Sequence, residues 1–109
     1  MSKFHTSISD FIEGGFIYGF YHCQGKDMKY SKHGDKYLDI ILTDKKSTVY
    51  GKIWSHVDFF DLKFESDMVV AVKGKVVKYR NNLELNILNI NSLNVDLYTK
   101  YGFKKSLIN

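Results

Sequence analysis

Tyr37, Tyr50, Lys52 and Trp54 are the residues whose types and spacing best suit shared chemistry. In residues 37–44, Leu38, Ile40 and Leu42 alternate with Tyr37, Asp39, Ile41 and Thr43. In residues 47–54, Val49, Gly51 and Ile53 alternate with Thr48, Tyr50, Lys52 and Trp54. Successive strand residues point to opposite faces, so the apolar sets belong in a core and three rings with a lysine share the outside. Aromatic faces stack on any nucleobase, at about 1–3 kcal/mol per base, and an ammonium neutralises a phosphate. A strand-end Trp can also cap a core, and cross-strand tyrosines stabilise sheets unaided. Trp54 alone supports either role; four such residues on one face favour binding.

Two further segments carry matching groups. Residues 24–36 are polar and basic, with Lys26, Lys29, Tyr30, Lys32, His33 and Lys36, and read as an exposed loop. Lys78, Tyr79 and Arg80 lead into a hairpin turn at Tyr79-Arg80-Asn81-Asn82. Any single lysine here is explained by solubility, but Arg80 is the only arginine in the chain. Its guanidinium can stack on a base and fork onto a phosphate.

Catalytic and metal chemistry are poorly supplied. His22 and Cys23 are adjacent, so on a strand they point apart. There is no CxxC pair and no HExxH spacing. Cys23 lacks a neighbouring base, and Asp44 reads as turn chemistry ahead of Lys45-Lys46. The sequence therefore predicts no catalytic residue, no metal, no cofactor and no enzyme activity.

These groups need a scaffold, and 109 residues supply one domain with a single modest core. The net charge of +4 fits an anionic partner, and the 16% aromatic content can fill a core and leave a stacking surface besides. One Cys makes no intramolecular disulfide, and neither a membrane span nor a signal-peptide core is evident. The expected setting is cytoplasmic.

The pattern predicts a lead-in over residues 6–13 and a first strand over 16–23, bent at Gly19. The strand pair 37–44 and 47–54 follows. A short helix starts at Ser55, capped by the Ser55–Asp58 spacing, with Val57, Phe60 and Phe64 on one face. Strands at 67–79 and 83–93 complete the set. Five strands with a helix between the third and fourth describe an all-β, five-stranded OB-fold Greek-key barrel. Residues 1–93 form this domain; residues 94–109 are a tail that could be a short helix, an oligomer contact or a linker.

The runs Gly14-Gly-Phe-Ile-Tyr-Gly-Phe20, Tyr37-Leu-Asp-Ile-Ile-Leu-Thr-Asp-Lys45, Val49-Tyr-Gly-Lys-Ile-Trp54 and Val72-Lys-Gly-Lys-Val-Val-Lys-Tyr-Arg80 resemble the tRNA-anticodon-type OB-fold nucleic-acid-binding domain. Within that group the chain looks most like the N-terminal OB domain of YhaM-type exoribonucleases, the CMP-binding factors. The resemblance implies single-stranded DNA or RNA binding on the face of the second and third strands, with Trp54 at the stacking position. The family's turn usually continues Lys-Ser-Gly where this chain has Lys45-Lys46-Ser47. The exoribonucleases' HD catalytic domain has no counterpart here, so nuclease activity is not carried over.

The predicted site is Tyr37, Tyr50, Lys52 and Trp54, walled by Lys32, Lys78, Tyr79 and Arg80. The alternatives are a substrate-recognition module of a larger nucleic-acid enzyme and a protein-interaction barrel. Under these, a nuclease or a replication or repair protein, or a second copy of the chain, is the partner. Exposure of the aromatic face separates binding from a purely structural role.

Overall fold

Alternation in the sequence becomes curvature in the computed structural model, which describes residues 5–92. The strands are β1 (Phe16–Tyr30), β2 (Lys36–Thr43), β3 (Thr48–Ile53), β4 (Val69–Tyr79) and β5 (Asn82–Ser92). They close into a barrel in the order β1-β2-β3-β5-β4, and a short helix α1 (Val57–Asp61) joins β3 to β4. All pairings are antiparallel except β3 with β5. This is the five-stranded OB barrel expected. Among the described residues no helix is long and apolar enough to cross a membrane.

The inward rows fill the interior. Leu38, Ile40, Leu42, Ile53, Val70 and Val76 are fully buried, each such side chain being worth roughly 1.5–3 kcal/mol of burial. Gly51 belongs to this inner row: a Cβ there would lie 2.7 Å from Ile87 Cδ1. The helix adds Val57 and Phe60, and Phe64 follows just beyond it. The lead-in also enters the core, through Ile8 on a short 3₁₀ turn at Ile8–Asp10 and Phe11 just after it.

Four details differ from the expectation. Residues 24–30 are strand, because β2 lies alongside them: Lys26 pairs with Ile40 and Tyr30 with Lys36. Residues 27–30 are exposed on both faces of the strand, which accounts for their polar composition, and only residues 31–35 form the loop. The irregularity in β1 falls between Cys23 and Gly25, while pairing with β4 runs evenly through Gly19. At Gly19 the need is space, since the Tyr21 ring and hydroxyl lie where a Cβ would be.

The third difference is the helix cap. The chain enters α1 through His56 in the left-handed region (φ 54°), with no side-chain cap. Asp58 instead holds the Lys36 ammonium at 2.6 Å. The fourth concerns Lys26, which is not a solvated loop cation. Its Nζ donates to the carbonyls of Asp61 (2.8 Å) and Phe64 (2.7 Å) and pairs with the Asp61 carboxylate at 2.7 Å. It thereby satisfies carbonyls that the end of a helix leaves free.

The β2–β3 and β4–β5 turns follow from local chemistry. The Asp44 carboxylate accepts the N–H groups of Lys46 (3.0 Å) and Ser47 (2.9 Å), so the turn closes without the family's glycine. Its other oxygen accepts the Ile8 N–H at 2.9 Å, tying the turn to the lead-in. Arg80 (φ 50°) and Asn81 (φ 67°) form the two-residue β4–β5 loop, both left-handed as a type I′ turn requires. The predicted tail, residues 94–109, lies outside the described residues.

Candidate nucleic-acid interface

Register brings the predicted residues together. Leu38 pairs with Ile53, and one step beyond, the rings of Tyr37 and Trp54 stack with centroids 4.4 Å apart and planes 26° off parallel. Tyr37 is half-buried beneath this contact, while Trp54 is 44% exposed. Tyr50 lies further along the same outer row and is 53% exposed. The aromatic face is therefore open to a planar ligand.

Lys52 occupies the same face but is engaged. Its ammonium pairs with Glu84 Oε1 at 2.8 Å and lies 4.9 Å from the centroid of the Tyr79 ring. Burial pulls the Lys52 pKa down, but the hydrogen bond and charge of Glu84 outweigh that and leave it above the usual lysine value. Tyr79 also carries the Arg80 guanidinium, 5.2 Å from its centroid. Glu84, Lys52, Tyr79 and Arg80 thus form one cluster along the wall of the face. Nothing in the sequence pattern marks Glu84; its position beside Tyr50 comes from the parallel β3–β5 pairing, which joins residues 34 apart in sequence.

The other wall is the β1–β2 hairpin. Lys29 pairs with Asp39 at 2.7 Å, and hydrogen bonding to that carboxylate raises its pKa. Lys36 is held by Asp58. Lys32 is exposed at the hairpin tip, and Lys78 is exposed beside the β4–β5 turn. Neither these two nor Arg80 has an ion pair among the described residues. The predicted set divides into an aromatic platform (Tyr37, Tyr50, Trp54), an internally paired lysine (Lys52) and peripheral residues on two walls, Lys32 on one and Lys78, Tyr79 and Arg80 on the other.

Cys23 and His22 point apart, as adjacent strand residues must. Cys23 is fully buried, its Sγ lies 3.4 Å from the Gly25 carbonyl, and burial raises the thiol pKa. His5 is a buried residue that the sequence did not reveal. Its Nδ1 accepts the Phe20 N–H at 3.0 Å, and burial lowers its pKa against the opposing pull of Asp44.

The family model of the tRNA-anticodon-type OB-fold nucleic acid binding domain matches residues 23–93. Among solved structures, the chain is similar to the second OB-fold domain of replication protein A from Methanococcus maripaludis. The TM-score is 0.64 at 19% identity, over 83% of this chain and 95% of that one. It is also similar to a mitochondrial single-stranded DNA binding protein of S. cerevisiae, with TM-score 0.61 and 12% identity over 75% and 97% of the two chains. An asparaginyl-tRNA synthetase from Entamoeba histolytica matches with TM-score 0.58 and 12% identity, over 87% of this chain but 25% of that one. At these identities the likeness is one of fold. No curated protein matches the sequence.

Proposed function

We propose, given that this chain belongs to the OB-fold nucleic acid binding domain family, that its β2–β3 face binds single-stranded DNA or RNA by stacking. The observation that carries this is the open Trp54 ring backed by Tyr37. The pair is ordered before any ligand arrives, so a base adds to an existing stack with little further loss of side-chain freedom. Tyr50 supplies a second ring on the same row. Stacking is indifferent to base identity, so the binding is largely sequence-tolerant.

Arg80, Lys78 and Lys32 meet the sugar-phosphate backbone at the two walls. Lys52 instead orients Tyr79 while neutralised by Glu84. On this reading the chain is a binding module, not an enzyme, and its one buried thiol suits a cytoplasmic setting. The likeness to a quarter of a tRNA synthetase supports a second reading, in which the barrel presents nucleic acid to a catalytic domain or partner such as a nuclease. A replication or repair protein, or a second copy of the chain, could also share the strand.

Trp54 is the only tryptophan, so its fluorescence reports on the proposed face. Titration with mixed-sequence single-stranded DNA and RNA at two salt concentrations should quench it, less strongly at high salt. Unchanged fluorescence with both strands, while the barrel stays folded, would remove this face from the binding site.

A further inference from the structure

We infer that the outer face of β1 and β4 is a second contact surface for single-stranded nucleic acid, reached from the β2–β3 face across β5. On β1, Phe16 is 64% and Tyr18 50% exposed, while Ile17 between them is buried. Phe16 is paired in register with Lys75 and Tyr18 with Lys73. Each ammonium lies 5.6 Å from the centroid of its partner ring. Two rings on β1 thus face two cations on β4, the combination that stacks bases and tracks phosphates.

Charge complementarity selects the occupant. Neither Lys73 nor Lys75 has an ion pair among the described residues, whereas Lys52, Lys29 and Lys36 are each held by a carboxylate. The β5 residues opposite them are neutral amides, Asn89 facing Lys73 and Asn86 facing Lys75. Amides can pair with base edges and do not repel phosphate. An unneutralised, ring-bearing, amide-lined strip fits a polyanion carrying planar bases.

The two faces are continuous. Lys52 pairs with Asn86, Asn86 with Lys75 and Lys75 with Phe16. This row crosses three strand spacings, about 14 Å along the barrel surface at ~4.8 Å each. The ~4–16 nucleotides that one OB barrel can engage, according to binding mode, are enough to span it. A short strand occupies the Trp54 face alone, and a longer one continues over β5 onto β4 and β1.

The test uses fluorescently labelled oligo(dT) and oligo(U) of about 5 and about 16 nucleotides, the two ends of that range. Anisotropy reports binding anywhere on the barrel, and Trp54 quenching reports the β2–β3 face. The K73Q/K75Q double variant should bind the short strand as the parent does. It should lose affinity for the long strand, with a salt slope lower by about 1.4, or ~0.7 for each of two phosphate contacts. A second variant, Phe16→Thr with Tyr18→Thr, keeps β-forming residues on the strand. It should weaken the long strand about 5- to 150-fold for each stacked base lost.

Long-strand affinity and slope equal to the parent's in both folded variants would overturn the inference. Should a strand bind without quenching Trp54, and that binding fall in K73Q/K75Q, the β1–β4 surface stands and the β2–β3 reading fails. Trp54 quenching with no effect of either variant leaves the β2–β3 reading standing and removes the β1–β4 surface. No anisotropy change with any strand sinks both.

Discussion

The β2–β3 face and the β1–β4 face use the same residue types under opposite electrostatic conditions. On the first, rings are stacked on each other and the central lysine is neutralised by Glu84. On the second, rings lie beneath lysines that have no ion pair among the described residues. Stacking should therefore dominate where Trp54 binds, and salt-sensitive phosphate contact where Lys73 and Lys75 do. A lysine beside aromatics is thus an ambiguous sign: the carboxylate across the sheet decides how much of its charge a ligand meets.

Removing the platform tests the contrast most severely. Trp54→Ala should cost about 1–3 kcal/mol of short-strand binding, measured by anisotropy. It should also cost the fold about 0.5–1.5 kcal/mol of Tyr37 stacking, measured by denaturant titration. A long-strand loss smaller than the short-strand loss would show the β1–β4 surface holding the strand without the platform, and an equal loss would give it no support.

Glu84→Gln should make the two faces alike. Leaving the half-buried Lys52 without its carboxylate should destabilise the barrel by roughly 1–3 kcal/mol. The freed ammonium should then steepen the short-strand salt slope by about 0.7. An unchanged slope would mean that Lys52 points away from the backbone path even when released.

Arg80→Gly probes the wall of the first face. Arg80 adopts a positive φ, which glycine tolerates better than alanine does, so the substitution removes the guanidinium without straining the turn. The short-strand slope should fall by about 0.7, and an equal slope would place Arg80 off the path.

His5 bounds the second face, its ring stacked over Phe20 at 6.2 Å and 6°. Burial depresses its folded-state pKa below the usual 6.5, so its contribution to stability is present above pH 6.5 and lost as pH falls through the lower folded value. Thermal unfolding of His5→Gln, which keeps an acceptor but cannot titrate, should depend less on pH in that window than the parent does. Parallel curves would show that His5 protonation is not coupled to folding.

Much of the architecture is legible in the chain because it rests on period-two alternation. Leu38, Ile40 and Leu42 against Tyr37 and Asp39 can face only one way once the strand forms. The turn at Arg80-Asn81 and the Asp44 turn are readable for a similar reason, since their chemistry lies within four residues. Residues 24–30 are not, because their polarity on both sides looks like a loop until β2 is alongside them. The Ser55–Asp58 cap has the right spacing, but the chain reaches the helix through His56 and Asp58 meets Lys36 instead.

Sequence alone dictates the inward and outward rows of the strands and which rings share the outer face of β2 and β3, because each depends on neighbours two residues away. Which cations are neutralised internally is a property of the closed barrel. Lys52 meets Glu84 through the parallel β3–β5 pairing, and Lys26 reaches the helix end across 35 residues. Closure likewise sets Lys73 over Tyr18 and Lys75 over Phe16, since those pairs exist only where β1 and β4 run side by side. Ion pairing falls off over a few ångströms, and barrel closure is what brings groups distant in sequence within that range.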